Sequence, residues 1–338
     1  MLWRSFFLLM GVFALIVCAA PFAAAQIGGG ERPVVIRPPK ADKKAELPNQ
    51  ALEEMPRPPQ ALAVEATRLS FVNVPLSNRG LLSQQSREAL RTLIAQLRGA
   101  QVVRLRAFVA GSGDLRRIPQ LVAEQFFEKH LALPVVTAVQ VGALPMEGAQ
   151  VLFEATLAQS KAVNPNGVQF LSAKGASVPE ALGKMKPAGE LLRATCYVPL
   201  LDGIAPLEGV TLVQPRRIGG GAEITCEGVV RSASVGLRGM LVMTGAQLAF
   251  SYSPEDAKLA LERLEKTLKS ANSTLKNAVF LSFYPLSSQL AEMAERISQN
   301  WLDPQRAPAG LRGVVFDGLP SIDGSFAVEA VATVEARK

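Results

Sequence analysis

The chain has 338 residues, 49% hydrophobic, 19% charged and 6% aromatic, the composition of a globular protein and not of a disordered or collagen-like one. Its 36 Lys and Arg against 29 Asp and Glu leave a net charge of +7, with both signs interspersed, so no basic stripe for nucleic acid stands out. His130 is the one histidine, which leaves little material for a histidine-rich metal site, a Ser-His-Asp triad or a Cys-His pair; no metal or other cofactor is expected.

Arg4 precedes an apolar run from Phe6 to Phe22 that ends in Ala23-Ala24-Ala25, the pattern of a cleaved secretory signal over residues 1–25. The run approaches the length of a bilayer span, so the competing reading is a retained anchor. Cys18 invites a lipoprotein reading, which the bulky Val17 before it disfavours. Residues 26–60 carry Gly28-Gly29-Gly30, Pro38-Pro39 and Pro58-Pro59 without an apolar period, and read as a tether. No Gly-Lys-Ser/Thr follows the glycines, so they are not a phosphate loop, and Gly219-Gly220-Gly221 reads as a hairpin turn. Export places Cys196 and Cys226 in an oxidising compartment, where a disulfide and two buried thiols are both open.

The body begins with a predicted strand at 68–74 and a helix at 83–98 with Leu90, Leu93, Ile94 and Leu97 on one face. A strand follows at 102–109, where Val103, Leu105, Ala107 and Val109 alternate with a more polar set that includes Arg104 and Arg106, the pattern of half-burial. Asp114 opens a second helical stretch with Ile118, Val122 and Phe126 on one face, regular from Pro119, and strands follow at 135–141 and 151–158. His130, just past that helix, is placed to meet helix-end carbonyls.

A shortened version of this order comes next: a strand at 167–172, a short helix near 179–186, and strands at 191–198, 209–214 and 222–230, with no second helix. The full order then returns. It has a strand over Met240–Thr244 and a helix capped by Ser253 with Pro254 first and Asp256 third, striped by Ala257, Leu261, Leu264 and Leu268. A strand at 278–283, a helix with Leu290, Met293, Ile297 and Trp301 facing inward, and strands near 312–317 and 325–334 complete it. Leu144-Pro145 stands nine residues before Glu154, and Leu319-Pro320 stands nine before Glu329, with Glu227 in the corresponding strand between. The chain is thus expected to be α+β, with β-α-β-α-β-β units at 61–160, 161–231 and 232–338.

Gly239–Gln247, the helix of 254–271, Ala278–Leu281 and Phe326–Ala330 resemble the Rid family, also called YjgF or endoribonuclease L-PSP, whose enamine and imine deaminases share a chorismate-mutase-like fold. Val103–Val109, Val139–Pro145 and Leu152–Ala155 are similar to the same pattern. The likeness covers about residues 66–158 and 232–335 well, and 163–231 weakly. It implies that single-unit relatives form trimers with ligand clefts between subunits, so three units in one chain would make a monomeric pseudo-trimer.

The resemblance also implies hydrolysis of a 2-imino acid to a 2-keto acid and ammonia, with an arginine on the substrate carboxylate and a glutamate placing water. The matching arginine position is Val136 in the first unit and Leu311 in the last. In the middle unit, counting from Pro215 reaches Pro206. Arg312 stands one residue off, facing away in a regular strand unless a bulge turns it back, and its other reading is a solvated surface arginine. Glu154, Glu227 and Glu329 match the family glutamate and are cleft candidates, the alternative being carboxylates paired across unit interfaces.

The leading expectation is an exported Rid-like protein that binds a small carboxylate or imine-like ligand, or a protein partner, between units, with degenerate catalytic sites. The competing expectation is an imine deaminase using Glu329 and Arg312. Ribonuclease or RNA binding follows only from the family's older name and a pI near 9.5, and mixed charges and few aromatics oppose it. No nucleic-acid partner is expected, and no membrane association after signal cleavage.

Overall fold

The computed structural model describes residues 55–334 except 112, 206 and 217–222. The signal segment with Cys18, the first glycine triplet, the tether up to residue 54, Pro206 and Gly219–Gly221 lie outside the described residues. The protein is mixed α+β, built on three small sheets. The first sheet orders its strands β2 (Leu69–Asn73), β5 (Val151–Ala158), β3 (Gln101–Ala110) and β4 (Val135–Val141). The second repeats that order with β6 (Val168–Gly175), β9 (Ile224–Ser232), β7 (Gly189–Tyr197) and β8 (Val210–Val213). In the third, β10 (Met240–Thr244) and β11 (Gln247–Ala249) together flank β13 (Phe326–Thr333), which pairs on its other side with β12 (Ala278–Pro285).

The repetition extends to register. Each central pair slips by one residue at the same place, between Val102 and Arg104, Leu191 and Arg193, and Ala278 and Phe280. Beyond the slip, Arg106 lies opposite Glu154, Thr195 opposite Glu227, and Ser282 opposite Glu329. A bulge rotates the strand by one side chain, so Val102 and Leu105 share one face while Arg104, Arg106 and Phe108 share the other.

Helices cover the outer face of each sheet. Leu90 and Leu93 of α1 (Leu82–Gln96) and Ile118, Val122 and Phe126 of α2 (Arg117–Glu128) pack on Leu105, Ala107 and Val109. Pro119 is the third residue of α2, where the missing N–H breaks no helical bond, so the helix begins two residues before that proline. In the second unit α3 (Val178–Gly183) stands alone, and its Ala181 and Leu182 cover Cys196 and Cys226, which are joined as a disulfide between β7 and β9. In the third, Leu261, Leu264 and Leu268 of α4 (Pro254–Ser270) pack on Phe283 and Val328. The α4 cap forms as expected, with the Ser253 hydroxyl accepting from the Asp256 N–H, while the Asp256 carboxylate reaches back to the N–H groups of Phe250 and Ser251. In α5 (Ser288–Ser298), Leu290, Ala291 and Ala294 are buried, and Met293 lies half-exposed beside that face.

The inner faces of all three sheets meet one another. Backbone hydrogen bonds join Gln140 to Gly318, Ala143 to Gln214 and Arg216 to Val315, so each sheet is tied to both of the others. One apolar layer gathers Phe108, Tyr197, Tyr284 and Phe316, with Phe316 packed edge-on against both tyrosines at 5.9 and 5.1 Å between ring centroids. A second gathers Val103, Val135, Phe170, Val229, Met243 and Phe280.

Two elements differ from expectation. Residues 61–65 form a strand, β1 (Ala61–Glu65), that pairs with β10 and so extends the third sheet, not the first. The strand expected near 312–317 is an irregular segment that touches β12 through a single bridge at Ala309 and scattered bonds. Gly310 and Gly313 break it: both hold positive φ, and a side chain at 310 would strike the Leu281 carbonyl oxygen. His130 meets helix-end carbonyls through its backbone: at φ +52° its N–H bonds Phe127 and the Leu131 N–H bonds Phe126, closing α2. Among the described residues, no helix is long and apolar enough to cross a membrane.

Candidate functional site

Arg104 and Arg106 were expected on a half-exposed face, but β3 is central in its sheet and that face is covered by the other two sheets. Arg104 is 3% exposed and Arg106 2%. A guanidinium so placed must find carboxylates, because water no longer solvates it. Arg106 donates from all three guanidinium nitrogens: Nε to Glu154 Oε2 at 3.0 Å, Nη1 to Glu227, and Nη2 to Glu154 and to Thr195 Oγ1. Arg104 pairs with Glu329, which also accepts from the hydroxyls of Thr137 and Tyr284. Tyr197 donates to Glu227 at 3.1 Å, and Thr195 donates to the second oxygen of Glu154. Arg193 completes the group, with Nη1 4.0 Å from Glu154 and its guanidinium 5.0 Å from the Phe71 ring centroid.

The three expected glutamates are therefore brought into one cluster, buried to 1–2% exposure, with three arginines that were not expected there. The charges balance. Burial is the largest influence on Glu154 and pushes its pKa up, yet Arg106 and Arg193, helped by the Thr195 hydroxyl, hold it down at about 2. Burial lowers the Arg193 pKa, and Glu154 partly offsets that; burial raises both tyrosines, which stay neutral hydroxyl donors. A carboxylate whose folded pKa lies below its unfolded value stabilises the fold above the unfolded pKa, and that contribution is lost as pH falls through the folded one. The Glu154 contribution, on the order of 3 kcal/mol, is expected to disappear between about pH 4.5 and pH 2. Urea unfolding across that range should show the parent losing stability more steeply than Glu154→Gln; parallel curves would refute the assignment.

In this cluster Glu227 Oε2 is buried without a described hydrogen-bond partner, while both oxygens of Glu154 and of Glu329 are engaged. Each glutamate accepts from a cation or hydroxyl in the interior, and none lines the surface clefts described here. Arg312 is elsewhere. It lines a cleft of about 390 Å³ with Lys174, Glu292 and Glu295, and its guanidinium donates to the Pro308 carbonyl at 3.5 Å. Glu329 and Arg312 thus do not share a cavity. Val136 lines a cleft of about 750 Å³ beside Pro58, Pro59 and Gly245, and Leu311 is fully buried. Among the described residues, no group of three or more His, Cys, Asp or Glu is placed to hold a metal ion.

Sequence reasoning missed the arginine half of the cluster. The available signal was Arg104 and Arg106 two apart within a strand otherwise made of Val, Leu, Ala and Phe, and Arg193 inside another apolar strand. For Arg104 and Arg106, the polar face of a half-buried strand explains the pattern equally well.

No family model and no curated protein matches the chain. Among solved structures, a YjgF-family protein of Neisseria meningitidis matches at 14% identity and TM-score 0.27, covering 30% of this chain and 85% of its own. A YjgF/YER057c/UK114-family protein of Mycobacterium tuberculosis matches at 20% identity and TM-score 0.26, over 28% of this chain and 79% of its own. A chorismatase matches at 12% identity and TM-score 0.43, covering 78% of this chain and 74% of its own. The chain is similar in structure to YjgF-family proteins, over 28–30% of its length at a time.

Proposed function

We propose that this protein is a binding protein made of three fused Rid-like units around an approximate threefold axis, and that its glutamates hold the units together instead of performing catalysis. The observation that carries this reading is the pairing of Glu154, Glu227 and Glu329 with Arg104, Arg106 and Arg193 in the interior. A water-placing base must reach solvent or substrate, whereas these carboxylates are 1–2% exposed and line none of the clefts described above. Val136 and Leu311 at the arginine positions remove the carboxylate anchor that the family reaction needs. The threefold arrangement is supported by the repeated register slip and by the backbone bonds that link each sheet to both others. Sedimentation is expected at the mass of one chain, and a stable homotrimer would count against fusion as a substitute for assembly.

Export to an oxidising compartment is part of this reading, and the Cys196–Cys226 bond supports it. A cytoplasmic pool of the reduced chain would count against it. No acceleration of 2-imino acid hydrolysis is expected when the imine is generated in situ and keto-acid release is compared with the uncatalysed rate. Acceleration that vanishes in both Arg312→Ala and Glu329→Gln would establish the deaminase instead.

A further inference from the structure

The strand β1 belongs by sequence to one unit and by pairing to another. In the first two units the leading strand, β2 or β6, lies at the edge of its sheet. In the third, the edge of β10 is covered by β1, paired in register from Ala61 opposite Thr244 to Glu65 opposite Met240. From there the chain runs through the turn Ala66–Arg68 into β2 of the first unit. Residues 159–167 join the first unit to the second and 233–239 join the second to the third, so β1 bridges the remaining junction, third to first.

The two ends of this arm are held differently. At one end the buried Val64 packs in the layer of Leu69, Val103, Leu241 and Met243, and the Ala66 N–H bonds the Gly239 carbonyl at 3.0 Å. At the other end the Gly245 N–H bonds the Gln60 carbonyl at 2.9 Å, and the Gln247 amide donates to the Gln60 side chain at 2.8 Å. Beyond Gln60 a regular ladder cannot continue, because Pro56, Pro58 and Pro59 have no N–H to give. Pro58 and Pro59 are half-buried, and Met55, Pro56 and Arg57 are exposed. Met55–Gln60 nevertheless walls the cleft of about 750 Å³, whose other sides include Pro119, Ala123 and Val136 of the first unit and Gly245 and Ala246 of the third.

We infer that Met55–Gln60 is a strap over this cleft, hinged at Gln60 and anchored by β1. In the closed state the prolines shield Val136 and Ala246. In the open state the segment peels back to Gln60 while Val64 stays in its layer, so the cleft opens without separating the sheets. Peeling gives up the packing of two half-buried prolines and breaks no regular ladder, and a segment held in that way opens far more readily than the fold unfolds. Closing again is also easy, since each proline ring keeps its φ fixed when released and little chain entropy is lost. The strap thus controls access at the junction of the third and first units, whether the cleft binds its ligand or converts it.

The test is thiol labelling with iodoacetamide in the full chain carrying Cys18→Ser, where the remaining Cys196 and Cys226 are paired with each other. Val136→Cys places a probe in the strapped cleft, and Ala291→Cys places one in the cleft beside Arg312, which Met55–Gln60 does not line. Adding Pro58→Gly and Pro59→Gly gives the released strap more freedom, and is expected to speed labelling at Val136→Cys about fivefold while leaving Ala291→Cys unchanged. Equal rates at Val136→Cys with and without the glycines overturn the strap. Equal acceleration at both probes overturns it too, because the whole fold is then loosened. Where a cysteine variant fails to fold, hydrogen exchange in the chain with only Pro58→Gly and Pro59→Gly reads the same opening at the Gly245 N–H, which bonds Gln60. Faster exchange there but not in β7 or β12 supports the strap, and unchanged or uniformly faster exchange overturns it.

Discussion

Replacing Arg106 by methionine is expected to lower folding stability by about 3–5 kcal/mol, because removing one partner of a buried pair leaves the other charge uncompensated. Two carboxylates are affected at once, since Arg106 bonds both Glu154 and Glu227. A surface arginine such as Arg116, 71% exposed and paired with Asp114, should change stability far less when treated the same way. Urea unfolding with a two-state fit measures both. A loss below about 1 kcal/mol for Arg106→Met would mean that the cluster is solvated or rearranges freely. Adding Glu154→Gln and Glu227→Gln to Arg106→Met should recover part of the loss, since the stranded charges are then removed as well.

Breaking the Cys196–Cys226 bond is expected to cost about 3–4 kcal/mol, from the sequence separation of 30 between its ends and the chain-entropy model of a closed loop. The second unit depends on this bond more than its neighbours would. It has one six-residue helix over its outer face, where the others have two longer helices, so less apolar area holds it. The double variant Cys196→Ala/Cys226→Ala should therefore unfold at lower urea, with hydrogen exchange accelerated first in β6, β7 and β9. Uniform acceleration throughout the chain would show instead that the three units unfold as one.

The local order of elements was legible in the sequence because it depends on short-range signals. Apolar residues at helical spacing marked α1, α2 and α4, the Ser253-Pro254 pair marked a helix start, and the equal Leu-Pro to Glu spacing exposed the repeat. Where glycines broke a pattern, the reading failed: the segment after Gly310 has apolar residues of a strand, yet its positive-φ positions prevent regular pairing. The strand Ala61–Glu65 was hidden among the prolines before it, and only its partner β10, far along the chain, makes it a strand.

The candidate site was half legible. Glu154, Glu227 and Glu329 stand out because a charge interrupts an apolar strand, and the sequence by itself determined that each needs a partner or a cleft. It could not determine which, since a period-two pattern reports that a face differs from its opposite and says nothing of what covers that face. The same limit hid Arg104 and Arg106, whose alternation reads equally as a solvated or a sealed surface. Tertiary structure decided the matter by bringing three sheet faces together, so that arginines from two units and glutamates from all three enclose one another. Charge pairing across such distances in the chain depends on assembly of the whole fold, whereas helices, caps and strand order are set within a few residues of themselves.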